Sequence, residues 1–154
     1  MANDKKLLIL KKKHEHALDL FQRGQLAQSA KLLQYLLKQS DSAELWNDWA
    51  TIQLIRGATE DAERGYRRAL DLEPANSEAE INFGILLAAT AREQEAAPLL
   101  QDGVKSLKGK QRAKILHVIE ICNKKGGGNH DELPKKKAAH GNAASAPLPR
   151  RAKK

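Results

Sequence analysis

Few side chains in this sequence are of types that do chemistry, and their spacing argues against most of it. His14 and His16 could share a metal ion. A spacing of two sends them to different faces of a helix, so we expect solvated surface residues instead. His117 and Cys122 lie five apart in a helical stretch. They suit packing in a core or at its edge better than ligation or a reactive thiol. Cys122 is the single cysteine, which excludes an intrachain disulfide and any zinc or iron–sulfur site built on the cysteines of one chain. Gly126-Gly127-Gly128 lacks the strand before it and the Lys-Ser/Thr after it that a phosphate loop needs, and reads as a linker. Trp46 and Trp49 could stack a ligand or fill a core. Lys135, Lys136, Lys137, Arg150, Arg151, Lys153 and Lys154 could hold phosphates or an anionic surface. No aromatic is interleaved with them to stack on bases. The chemistry in view is therefore binding. No catalytic residue, metal or cofactor is expected.

Composition narrows the classes further. The 154 residues are 30% charged and 41% hydrophobic, ordinary for one globular domain with a tail. Aromatics are only 4%, which argues against a β-sandwich built on aromatic pairs. The net charge of +8 is unevenly placed. From Lys124 onward nine bases face two acids, whereas residues 43–80 carry nine acids and four arginines. The basic pI thus reports the tail and not the fold. Residues 125–154 hold three prolines, the glycine run and only Leu133 and Leu148 as large apolar residues. Such a segment buries too little to offset its ordering entropy, and we expect disorder there. The longest early apolar run, Leu7 to Leu10, is too short for a membrane span of about 20 residues or a signal-peptide core of about 7–15. A cytoplasmic protein is the simplest expectation.

Helical periodicity organises the rest. Leu7, Leu10, Ala17, Leu18 and Phe21 mark a first helix, closed by Gly24. Leu26, Ala30, Leu33, Leu36 and Leu37 mark a second, to about Lys38. Ser42 can cap a third from Ala43, which Gly57 ends. Thr59 can cap a fourth over about Glu60 to Leu72, with Glu63 near a capping-box position and Pro74 beyond its end. Ser77 starts a fifth, to about Thr90. A sixth runs from about Glu93 to Leu107, with Pro98 tolerated near its start. Residues 111–122 form a last helix, with Ala113, Ile115, Leu116, Val118, Ile119 and Cys122 giving broad apolar coverage.

The helices repeat. Trp46, Trp49-Ala50, Gly57, Ala62, Tyr66, Ala69 and Pro74 stand in order over residues 43–76. A shift of 34 brings Phe83-Gly84, Leu87, Ala96, Leu100 and Gly103 into phase, and a shift back of 33 brings His16-Ala17, Gly24, Ser29, Leu33 and Leu36. This pattern resembles the tetratricopeptide repeat. The small residues, with Gly65 and Gly103 kept inside helices at roughly 1 kcal/mol each, suit close helix contacts. The resemblance implies an all-α, right-handed superhelical stack of about three hairpins (10–42, 43–76 and 77–110) with a capping helix over 111–122, in a domain of residues 1–124. Trp46 and Trp49 then become structural, in preference to a ligand platform.

The resemblance also implies a concave groove lined by the first helix of each pair. Its positions fall on Lys11, His14, Glu15, Leu18, Phe21 and Gln22; on Glu44, Asn47, Asp48, Thr51, Leu54 and Ile55; and on Glu78, Ile81, Asn82, Ile85, Ala88 and Ala89. The asparagines would bond a peptide backbone, the aliphatics would form a floor, and the acids would favour a basic partner. Glu44, Asp48 and Glu78 stand where an acidic chaperone tail would be repelled, so that clamp is not expected. The leading expectation is a non-catalytic interaction module for a protein or peptide. One alternative is nucleic-acid or anionic-surface binding through the basic tail. Another is an accessory part of a transferase system. A third has the tail visiting the acidic groove of its own or a neighbouring chain.

Overall fold

A computed structural model describes residues 1–126. The expected tail, with Lys135, Lys136, Lys137, Arg150, Arg151, Lys153 and Lys154, lies outside the described residues apart from its first two positions.

Seven α-helices follow one another, and no strand occurs among the described residues. They are α1 (Ala2–Gln22), α2 (Leu26–Gln39), α3 (Ala43–Ile55), α4 (Thr59–Leu72), α5 (Ser77–Ala89), α6 (Glu93–Gly103) and α7 (Gly109–Gly126). Short turns make α1/α2, α3/α4 and α5/α6 hairpins, and each second helix packs on the next first helix. The first helices also meet one another, α3 against α5 and α5 against α7. The result is the expected all-α stack.

Helix ends follow local chemistry, with corrections. Ser42 caps α3, its Oγ accepting from Leu45 N at 3.4 Å. Thr59 does not cap α4; it is the first helical residue, and Ala58 holds the cap position without a side-chain bond. Glu63 makes no capping box and instead accepts from Arg67 and Arg92. α5 starts at Ser77 as expected, but Asn76 is its cap and accepts from Ala79 N at 3.0 Å. The sixth helix tightens into a 3₁₀ turn at Val104–Ser106. The hairpin turns of the first two repeats use Gly24 and Gly57 at φ +74° and +81°. The third places Ala91 at the same point, at φ +58°, a conformation costly for any residue with a Cβ.

The core is built from the repeat positions. Ala50, Ala62, Tyr66, Ala69, Phe83 and Ala96 are all buried. The Tyr66 and Phe83 rings stack with centroids 6.1 Å apart. Trp49 is buried and meets half-buried Trp46 edge to face at 5.7 Å. Trp46 Nε1 donates to Asp41 at 2.6 Å. These contacts support the structural reading of both tryptophans. Close approach explains the helical glycines. A Cβ on Gly65 would lie 2.7 Å from Ala50 Cβ, and one on Gly84 would lie 2.6 Å from Leu100 Cγ.

The weak first repeat has its own devices. Ser29 replaces the alanine of Ala62 and Ala96, and its buried Oγ donates to Ala17 O at 2.6 Å. Lys13 lays its ammonium 4.3 Å from the centre of the Tyr35 ring. α7 covers the end of the stack with one narrow stripe, Ile115, Ile119 and Cys122. Ala113 and Leu116 are exposed, so its coverage is less broad than the composition suggests. His117 is exposed as well, not packed at a core edge, and stands 3.8 Å from Glu120.

Candidate functional site

The helical period places Glu44, Asp48, Thr51 and Ile55 on one stripe of α3, and Glu78, Asn82, Ile85 and Ala89 on one stripe of α5. Both stripes face away from the buried positions of their helices. α3 meets α5 directly, so the two stripes lie side by side on one face, the face that the repeat resemblance implies to be concave. Polar bonds link the first helices along this face. His14 Nε2 of α1 donates to Asp48 Oδ2 of α3 at 2.6 Å. Asn82 Nδ2 of α5 donates to Asn47 Oδ1 of α3 at 3.0 Å.

These bonds correct three expectations. His14 is not a solvated surface residue; its side chain is 15% exposed and tied to Asp48. That hydrogen bond, opposed by burial and helped by the charges of Asp48, Glu44 and Glu15, holds the imidazole above its ordinary value. Asn47 is buried, so it is closed to a ligand, and Asn82 is occupied by it. Thr51 Oγ1 donates to Asn47 O at 2.9 Å, which leaves it to accept from the Tyr66 hydroxyl at 3.0 Å.

What stays open on this face is simpler than the expected set. Lys11, Glu15, Gln22, Glu44, Glu78 and Ala89 are exposed. Ile55 and Ile85 are 55% and 40% exposed, unusual for large aliphatics. Leu18, Phe21, Leu54, Ile81 and Ala88 are half-buried. Neither α3 nor α5 carries a lysine or arginine, so the acids set the sign of the middle of the face.

An open cleft of about 600 Å³ continues the face between α5 and α7. Its walls include Glu78, Ile81 and Asn82 on one side and Gln111, Lys114 and Ile115 on the other. Gln111 and Lys114 were not among the expected site residues; they belong to the helix expected only to cap the stack. Among the described residues, no group of three or more His, Cys, Asp or Glu side chains is arranged to hold a metal ion. Cys122 is buried on the same stripe of α7 as Ile115 and Ile119, and burial pushes its thiol up.

No protein-family model matches the sequence, and no significant match to a curated protein is found. Solved structures do match the fold. The type III secretion chaperone SycD of Yersinia enterocolitica, in complex with a peptide of the translocator YopD, is 14% identical with a TM-score of 0.69, over 77% of this chain and 95% of that one. The P58(IPK) TPR domain is 20% identical with a TM-score of 0.69, over 75% of this chain and 33% of that one. The TPR2B domain of yeast Sti1, in complex with pHsp70, is 12% identical with a TM-score of 0.67, over 75% of this chain and 96% of that one. The fold is therefore that of a tetratricopeptide-like helical stack. No helix among the described residues is long and apolar enough to cross a membrane.

Proposed function

We propose that this chain is a non-catalytic interaction module whose inner face binds a basic, aliphatic-bearing segment of another protein. The observation that carries the reading is the α3–α5 face. Glu44 and Glu78 stand exposed there beside the exposed Ile55 and Ile85, with no lysine or arginine on either helix. Exposed aliphatics rimmed by charge of one sign favour a segment with spaced leucines and lysines. The structural neighbours support the class of function: SycD was solved with a peptide and the Sti1 domain with pHsp70.

The test is titration calorimetry with two peptides of equal length and equal leucine spacing, one bearing lysines and the other glutamates. The lysine peptide should bind at least about tenfold tighter, and the Glu44→Lys/Glu78→Lys variant should reverse the order. Equal affinity for both peptides would refute the assignment.

A further inference from the structure

α1 is longer than its counterparts. α3 begins at Ala43, one repeat length after Leu10, so the residues before Leu10 have no equivalent in the next repeat. They extend α1 by about two turns, or roughly 12 Å. This extension carries Leu7, Leu8 and Ile9, which are 68%, 53% and 47% exposed. Lys5 and Lys6 precede them on the arm and Lys11 and Lys12 follow at its base, against the single acid Asp4.

We propose that this extension is an arm that seats in the inner-face groove of a second copy of the chain. The inference rests on the groove reading above and names its occupant. The match is chemical on both sides. The arm offers cations around exposed aliphatics; the groove offers Glu44 and Glu78 around Ile55 and Ile85.

Geometry selects the second copy over the other occupants. α1 contains no glycine or proline from Ala2 to Gln22 and is pinned to α3 by the His14–Asp48 bond. A continuous helix held in this way cannot turn back into its own groove. Two arms pairing with each other would set lysine against lysine. A flat lipid surface covers only one stripe of a helix, whereas Leu7, Leu8 and Ile9 step about 100° apart and cover roughly 200° of the circumference. A groove wraps a helix more fully than a plane does. Because arm and groove are different surfaces, two chains can exchange arms about a two-fold axis, or one-way contacts can propagate as a ring or an open chain.

The test uses sedimentation velocity on the full chain and on two variants altered only at exposed positions. The arm variant is Leu7→Gln/Leu8→Gln/Ile9→Gln, and the groove variant is Glu44→Lys/Glu78→Lys. Circular dichroism checks that both keep their helicity. The full chain should self-associate at about 50 mM salt and weaken about tenfold at about 300 mM, as screening of charged surfaces requires. Each variant alone should be monomeric. An equal mixture should form a species of two chains and no larger, because one variant supplies the arm and the other the groove.

Self-association by both single variants, or a mixture that stays monomeric, would overturn the proposal. So would a full chain that stays monomeric while the lysine–leucine peptide still binds in a Glu44/Glu78-dependent way. In that outcome the groove reading survives and only its occupant is wrong. Failure of every peptide, with self-association lost in the arm variant alone, would instead sink the groove reading. Sedimentation of a monomeric chain with phosphatidylserine vesicles, lost in the arm variant, would assign the arm to a membrane surface and overturn the proposal.

Discussion

His14 on α1 and Asp48 on α3 meet at 2.6 Å across the joint between the first and second hairpins. The imidazole is held above its ordinary value by that bond. A group with a raised folded pKa stabilises the fold fully below its unfolded value, about 6.5 for histidine, and loses that contribution as pH rises through the folded value. Thermal unfolding of the parent chain and of His14→Gln should differ most near pH 6, by about 1 kcal/mol, and converge toward alkaline pH. A gap that widens as pH rises would contradict the assignment.

Ala91 occupies the left-handed turn position that Gly24 and Gly57 hold in the other hairpins. The Cβ is unfavourable at φ +58°, so Ala91→Gly should stabilise the chain by about 0.5–1 kcal/mol, despite the greater freedom of glycine in the unfolded state. The control Gly57→Ala should cost about 1 kcal/mol or more. Urea unfolding midpoints measure both.

Gly84 has the opposite logic. Alanine has the better helix propensity by about 1 kcal/mol, yet a Cβ here would fall 2.6 Å from Leu100 Cγ and 2.7 Å from its Cδ2. Packing strain should win, and Gly84→Ala should lose about 1–3 kcal/mol in denaturant unfolding. A stabilised variant would show that Leu100 can move aside.

Asn82 and Ile85 separate structure from recognition on one helix. Asn82→Ala leaves the buried Asn47 amide without its donor and should cost about 1–3 kcal/mol of stability. Ile85→Ser removes an exposed side chain, should change stability by less than about 0.5 kcal/mol, and should weaken the lysine–leucine peptide measurably. Calorimetry and unfolding on the same two proteins check the split.

Much of the fold was legible because helical hairpins are local. Gly57, Ser42, Pro74 and the Ala50/Ala62/Ala69 set act within one turn or one hairpin. Their signals survive in sequence even where no family model matches. The misreadings share a cause. Thr59 and His117 are residue types with a strong local preference, but whether a side chain caps, packs or stays in water depends on what stands opposite. The turn between Thr90 and Glu93 was legible, but its left-handed residue was not, because alanine gives no such signal; only the phase of Ala91 with Gly24 and Gly57 could have revealed it. Gln111 and Lys114 were hidden because nothing in the sequence sets the last helix against α5; only the tertiary contact does.

The sequence by itself determined the number, order and phase of the helices, because a 3.6-residue period and small residues at fixed offsets need only short-range chemistry. Tertiary structure alone decided which inner-face residues remain for a partner. His14, Asn47, Asp48 and Asn82 carry the same polar signature in sequence as Glu44 and Glu78. They differ in having a complementary group about one repeat away, at the distance where helices meet. A polar side chain whose bond is made across that joint holds the stack together, and one left without such a neighbour faces solvent and whatever binds there.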